Sequence, residues 1–388
     1  MPDARWFLTR PLPVVMVALS ALPLAAQNAA LPWSDVADAL VARMDLQAGE
    51  RVLLVGMAGD FDALVPMLRE RVAEAGAVDL GAVEVGGGTF TGSTPTDFVR
   101  TLSGLRGPEL VGALSSVDLG VMLPGATPVD AVYAALQDVL RRERGRTIHF
   151  HWAGAYGFDG VLLPLSDHID QTYVNALITT DYEALSVAQS SFEDAARAGS
   201  VRVTTPAGTD ISFRIGDRPV TRQDGDASAA RASRGRNLID REVELPAGAI
   251  RVAPIESTVT GTIAFPPTVW GGTEVDALML TVEAGRVVDL EAETGVEAVR
   301  AELDAAGDAG YSFREFALGL NPLLAIPESG DRWIPYYGYG GGVVRLSLGD
   351  NSELGGQVTG GYVRWNFFTD ATVTVGDDTW VRDGRLVR

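Results

Sequence analysis

The chain has 388 residues, enough for two domains of ordinary size, and its 46% hydrophobic content is that of an ordinary globular protein. The formal charge is −20, every basic residue is arginine because no lysine occurs, and there is no cysteine. These facts exclude a lysine nucleophile or Schiff base, a cysteine nucleophile, thiolate zinc sites, iron–sulfur clusters and disulfides, and the acidic excess argues against a nucleic-acid partner.

The N-terminus carries Arg5 and Arg10, then an apolar stretch from Pro11 to Leu24 that ends in Ala25-Ala26-Gln27. A short basic region, an apolar region and small residues at its end read as a cleavable secretory signal over residues 1–26, which implies periplasmic or extracellular residence. The alternative is an uncleaved anchor, but the stretch falls short of about 20 apolar residues and is broken by prolines. No later segment is long enough to span a bilayer, so no stable membrane anchor is expected after cleavage.

After the signal, Ser34 is placed to cap a helix through Val36, Leu40 and Met44, and Gly49-Glu50 turns into a buried strand at Val52 to Val55. A helix carries Leu64, Leu68 and Val72 toward Gly76, with Pro66 kinking it or delaying its start. Strands are expected at Val78 to Val85, Val117 to Leu123 and Thr147 to Trp152, with a helix opened by Thr127-Pro128 and running to Arg144. Gly86-Gly87-Gly88 reads as a turn, because no glycine fingerprint opens a helix there. Helices at Ser166 to Ile178 and Asp181 to Ala198 complete an α/β domain with a largely parallel sheet over residues 27–198.

Past Gly199 the texture changes to short β-rich runs: Val201 to Thr205, Ile211 to Ile215, Thr258 to Phe265, Ala277 to Val282 and Val287 to Asp289, interrupted by a helix from Gly295 to Ala306. Frequent turn signals predict a mainly antiparallel arrangement. Residues 199–388 thus read as a mixed, β-rich domain, giving an α/β plus α+β fold class with the cleft in the second domain. The stretch Arg222 to Arg241, rich in Arg, Asp, Ala and Ser, is expected to be an exposed, mobile loop.

The second half contains an ordered series of short phrases: Thr204 to Asp210, Leu245 to Gly248 (Leu-Pro-Ala-Gly), Ala253 to Ser257, Gly285 to Asp289, Glu315 to Asn321 and Leu348 to Asn351. In this order they resemble the thermophilic-type leucyl aminopeptidases, the aminopeptidase T and aminopeptidase S family. The resemblance implies a homodimeric metallopeptidase that releases N-terminal residues from peptides with two divalent ions, Zn, Co or Mn, which clamp the carbonyl and activate water. Residue by residue, it places the family's metal ligands at Ala249, Glu315, Arg345, Arg364 and Asn366. Of these only Glu315 retains a ligand; a methyl group has no lone pair and a guanidinium donates without accepting.

The resemblance therefore implies a degenerate metal site with no metal expected at that position. Arg345 and Arg364 there read as an arginine-for-metal site for an anion such as a peptide terminus or small carboxylate, or as charges that close the cleft through ion pairs with Glu315 or Asp350. The alternative is an active metal-dependent aminopeptidase. Outside this position, His149 and His151 alternate on one predicted strand face, and with His168 and Asp159 or Asp167 they are the remaining local route to a metal. Against it stands a plain polar pocket between the domains.

A serine hydrolase is improbable without a nucleophile elbow. Glu256 and Glu315 read either as an acid–base pair or, for Glu256, as support for the cleft wall. The run Tyr336, Tyr337 and Tyr339, set among glycines, reads as a substrate lid or as a loop packed on the sheet.

Overall fold

The computed structural model describes residues 31–328 and 332–388, so the signal-peptide reading of residues 1–26 lies outside the described residues. Among the described residues no helix is long and apolar enough to cross a membrane.

The first half alternates strands β1 (Arg51–Gly56), β2 (Val78–Glu84), β3 (Leu119–Met122) and β4 (Arg146–His149) with helices α1 (Trp33–Met44), α2 (Leu64–Glu74), α3 (Asp97–Leu102), α4 (Gly107–Leu114), α5 (Ala131–Arg141), α6 (Asp167–Thr179) and α7 (Tyr182–Ala198). The central strands β1 and β3 are apolar runs buried on both faces, as parallel strands covered by helices must be. Ser166 and Asp181 cap α6 and α7 through their side chains, as the sequence suggests. Two other caps differ. Ser34 sits inside α1, which begins at Trp33. The α5 helix begins only at Ala131, because the Asp130 carboxylate accepts from the Thr127 amide and hydroxyl and closes a turn ahead of it. Pro66 falls in the first turn of α2, where a missing amide hydrogen costs nothing. Gly86 and Gly87 donate to the Glu84 carboxylate in a turn.

The second half contains β5 (Val201–Thr204), β6 (Asp210–Phe213), β7 (Val220–Arg222), α8 (Ala229–Ala232), β8 (Glu242–Glu244), β9 (Ala249–Val252), β10 (Thr260–Ala264), β11 (Thr268–Trp270), β12 (Thr273–Val275), β13 (Met279–Glu283), β14 (Arg286–Glu291) and α9 (Val296–Ala306). It continues with β15 (Phe313–Gly319), β16 (Val344–Gly349), β17 (Val363–Arg364), β18 (Phe367–Phe368), β19 (Thr372–Val375), β20 (Asp378–Arg382) and β21 (Arg385–Leu386).

The sheet order in the first half is β2-β1-β3-β4-β8, so a strand from beyond Gly199 joins the parallel sheet as its edge. Of the other strands, β11 and β12 pair antiparallel as a small sheet of their own, and the rest form two large sheets, β14-β13-β10-β6-β5-β19-β20-β21 and β17-β16-β15-β9-β7 with β18 also on β16, whose strand pairings are antiparallel. This is the mixed fold the alternation of elements predicts, with a parallel sheet followed by antiparallel ones. The β4–β8 seam sets the histidines of the first half beside the arginine-bearing sheet of the second.

The expectation of an exposed, mobile loop at Arg222 to Arg241 is corrected. Gln223, Asp224, Ala227, Ser228 and Ile239 are buried. Gln223 bridges α7 and β8, accepting at its backbone carbonyl from Gln189 and donating from its amide to the Glu242 carbonyl. Low apolar content misled here because internal hydrogen bonds, rather than apolar contacts, order the segment.

Candidate functional site

Strand register decides which of the candidate residues share a face. Across the second antiparallel sheet Arg251 stands opposite Ala317, and Ala317 opposite Arg345, while Glu315 pairs with Ser347. Because side chains alternate along a strand, Ala249, Arg251, Glu315, Arg345 and Ser347 all face one way. A register shift between Phe313 and Glu315 lets Arg314 reach the same point.

At the centre lies Glu315, with no solvent exposure. Its Oε2 accepts from Arg251 Nη2 at 2.9 Å and Nε at 3.2 Å, its Oε1 lies 2.9 Å from Arg345 Nη2, and Arg314 Nε is 4.0 Å away. The Ser347 hydroxyl donates to Oε1 at 3.3 Å. Burial alone would raise the Glu315 pKa, but the guanidinium groups of Arg251, Arg345 and Arg314 overcome it and hold the carboxyl well below its usual range. Glu353 continues the network, accepting from Arg314 and lying 3.8 Å from Arg251, and Glu244 is 3.7 Å from Arg251.

Arg364 and Asn366 do not belong to this cluster. Arg364 pairs with Leu348, one step along from Ser347, and so points to the opposite face of the sheet. There its guanidinium lies 3.5 Å over the Trp270 ring, donates to Glu302 at 2.9 Å and to the Val269 carbonyl, and meets the Asn366 side-chain oxygen at 3.2 Å. The expectation of Arg345 and Arg364 as two forks in one anion site is therefore corrected, and the ion-pair alternative describes Arg345. Asp350 takes no part in it: its carboxylate accepts from Ser352, Gly360 and Gly361 in a turn.

Nor do the residues at the family's ligand positions fit a metal pair. Ala249 has no donor atom, both oxygens of Glu315 face guanidinium groups, Arg345 can only donate, and Arg364 and Asn366 are turned away. The remaining histidine route fares no better. His149 and His151 do meet, with rings 5.1 Å apart and the Tyr133 hydroxyl 3.4 Å from each. His168 instead sits edge-on to Trp333, and Asp159 is engaged with the Val161 amide. Among the described residues no group of three or more His, Asp or Glu side chains could hold a metal ion. Burial pushes both imidazoles down to about 3, aided by Arg251 at His149 and by His149 at His151. His149 lies 3.8 Å from Glu242, whose carboxyl burial, reinforced by Glu353, pushes up to about 8. These side chains make a buried polar cluster beside the β4–β8 pairing, with the imidazoles and the Glu242 carboxyl held neutral.

Glu256 is held apart by Arg218, the Asn351 amide and the Gln357 backbone, sharing no partner with Glu315. The wall-support reading describes it, and the acid–base pair does not form. The tyrosine run is not a lid: Tyr336 and Tyr339 are buried, Tyr336 donates to the Leu245 carbonyl at 2.7 Å, and the Tyr337 carbonyl accepts from Arg345 at 3.0 Å. Glycine makes this seat possible. A side chain at Gly154 would collide with the Tyr337 ring, and one at Gly319 would lie 2.0 Å from the Gly340 carbonyl oxygen. Sequence reasoning missed Arg251, Arg314, Ser347, Glu353, Glu242, Glu244 and Tyr133. Arg251 had a signal, since it follows Ala249 at the two-residue period of a strand.

Residues 197–328 match the family described as thermophilic metalloprotease (M29). Over this segment the chain is similar to the M29 metalloproteases. The match takes in the phrases from Thr204 to Asn321, bearing out the resemblance read from them, and ends before positions 345, 364 and 366. Two solved structures share the fold over nearly the whole chain. The 2,5-dihydroxypyridine dioxygenase from Pseudomonas putida KT2440 is 17% identical, with a TM-score of 0.59 covering 92% of this chain and 98% of that one. AmpT from Thermus thermophilus is 16% identical, with a TM-score of 0.56 covering 91% and 99%. No curated protein matches the M29-like chain significantly.

Proposed function

We propose that this is a secreted M29-type protein in which a buried arginine–carboxylate cluster has replaced the dinuclear metal centre, and which binds a peptide or small anion rather than hydrolysing peptides. The observation that carries this reading is the grip of Arg251 and Arg345 on both oxygens of Glu315, the single retained ligand position. A carboxylate held in this way has no lone pair directed at open space, and a cation entering beside three guanidinium groups meets strong repulsion. Removing one partner behind a metal ligand costs about 10- to 100-fold in affinity or activity, so four replaced ligand positions abolish binding there. The fold does not oppose this reading, since similar folds serve both a dioxygenase and AmpT, and chemistry lives in the site.

The test is metal content and peptidase activity on one preparation. The purified mature protein is incubated with zinc, cobalt and manganese, unbound ions are removed, and metal per chain is measured alongside hydrolysis of leucine p-nitroanilide. The expected result is far less than one ion per chain and no hydrolysis above the protein-free blank. Stoichiometric metal with metal-dependent hydrolysis would overturn the proposal and restore the active aminopeptidase.

A further inference from the structure

The segment from Arg222 to Asp240, ordered by its own hydrogen bonds, forms with β7 and α7 a groove of about 180 Å³ lined by five arginines and four carboxylates. It lies on the other side of the sheet from Glu315, because Thr221 stands opposite Arg251 while Arg222 stands opposite Ile250. In a chain of net charge −20, a groove with more arginines than acids is itself unusual.

What matters is how each charge is spent. The carboxylates turn toward internal donors: Asp224 accepts from Ser186 at 2.9 Å and Arg231 at 2.8 Å, Asp240 from Thr221 at 2.9 Å and the Arg236 amide at 2.8 Å, and Glu193 from Arg197 at 2.7 Å. Three guanidinium groups are left weakly committed. Arg222 donates to the Ser190 hydroxyl and stands 3.9 Å from Glu193. Arg236 leans on an exposed Asp217, 3.4 Å from its carboxylate, and donates to its backbone carbonyl at 2.7 Å, leaving its remaining N–H donors free. Arg234 is exposed and, among the described residues, its side chain has neither hydrogen bond nor ion pair. A second hollow of about 500 Å³ adjoins the first, shares Arg236 with it, and presents Pro219 and Ile255.

We propose that this pair of hollows binds a small oxyanion, phosphate or carboxylate in type, with its charge between Arg222, Arg234 and Arg236 and an apolar remainder over Pro219 and Ile255. Guanidinium forks recognise such groups with paired donors, and this oxyanion charge replaces solvent at donors the protein leaves unfilled. The inference deepens the reading of the protein as a binder and names where the anion sits, yet it does not depend on the state of the metal position.

Calorimetric titration of the full mature chain at constant ionic strength tests it, with phenyl phosphate, benzoate and inorganic phosphate as probes and chloride as the reference. Saturable binding of phenyl phosphate or benzoate is expected, weakened at least tenfold by Arg234→Ala combined with Arg236→Ala, partly restored by Arg234→Lys, and unchanged by Arg100→Ala. Tighter binding of phenyl phosphate assigns a phosphate ester and tighter binding of benzoate a carboxylate. No saturable binding, or equal binding by a double variant whose circular dichroism is native, overturns the proposal. Inorganic phosphate binding as tightly as phenyl phosphate overturns the apolar remainder. Metal found in the preceding test defeats the metal-free reading and leaves this titration untouched, so the two failures are distinguishable.

Discussion

Two arginine-rich regions lie on opposite sides of neighbouring strands, and they use the same side chain in opposite ways. On one side Arg251 and Arg345 are 3% and 2% exposed and close on a Glu315 with no exposure at all. On the other, Arg234 and Arg236 stand in solvent around an open groove. The difference teaches that an arginine's value for binding is set by what its donors already face. A guanidinium locked to a buried carboxylate is structural and has little left for a ligand, while one with an exposed or absent partner keeps its fork available.

The sharpest way to break this comparison is Arg345→Ala. Removing one partner of a buried ion pair strands charge in a low-dielectric interior, so urea unfolding should show a loss of about 3–5 kcal/mol. A loss below about 1 kcal/mol would mean that solvent reaches Glu315 and that the cluster is not sealed.

The next effect is on pH. Glu242 has a folded value of about 8 against an ordinary 4.5, so between those values the folded chain holds a proton that the unfolded chain has released, and stability falls as pH rises through that window. His149 and His151 act in the opposite sense. Their folded values near 3 lie below the ordinary 6.5, the unfolded chain binds protons the folded chain refuses, and stability rises with pH between about 3 and 6.5. Two histidines outweigh one glutamate where the windows overlap, so denaturation midpoints should climb to near pH 6.5 and decline toward pH 8. Glu242→Gln should abolish the decline, and a decline that survives it belongs to another group.

Arg364→Ala comes third. The residue is partly buried, with one ion pair to Glu302 and one ring face at Trp270, and a cost of about 1–2 kcal/mol is expected. Its loss should leave anion titrations unchanged, because Arg364 stands on β17, at the opposite edge of the sheet from β7, and lines neither hollow.

Much of the fold was legible because local signals and burial agreed. The apolar runs at Val52 and Val78, the caps at Ser166 and Asp181, and the helix after Gly295 all appear where periodicity and capping put them. What failed was pairing across distance. The sequence cannot tell that β8 crosses to join the parallel sheet, nor that Arg364 pairs with Leu348 and so turns from Arg345; a one-residue change of register moves every side chain to the other face. Arg251 went unread for the same cause, since it became central only when Ala317 was set between it and Arg345. The loop at Arg222 to Arg241 misled because polar composition resembles disorder until its hydrogen-bond partners are known.

The smallest expected effect is the one that separates the two regions most cleanly. Arg234→Ala removes an exposed side chain that, among the described residues, makes no side-chain hydrogen bond or ion pair, so unfolding free energy should change by less than about 0.5 kcal/mol. The titration of an oxyanion should nevertheless weaken, because the lost fork contributes only when the ligand is present. Arg345→Ala should behave conversely, costing stability far more than it costs anion binding. If Arg234→Ala instead destabilises by more than about 1 kcal/mol, the groove arginines are structural like those around Glu315, and the contrast between a spent and an available guanidinium fails at its most exposed member.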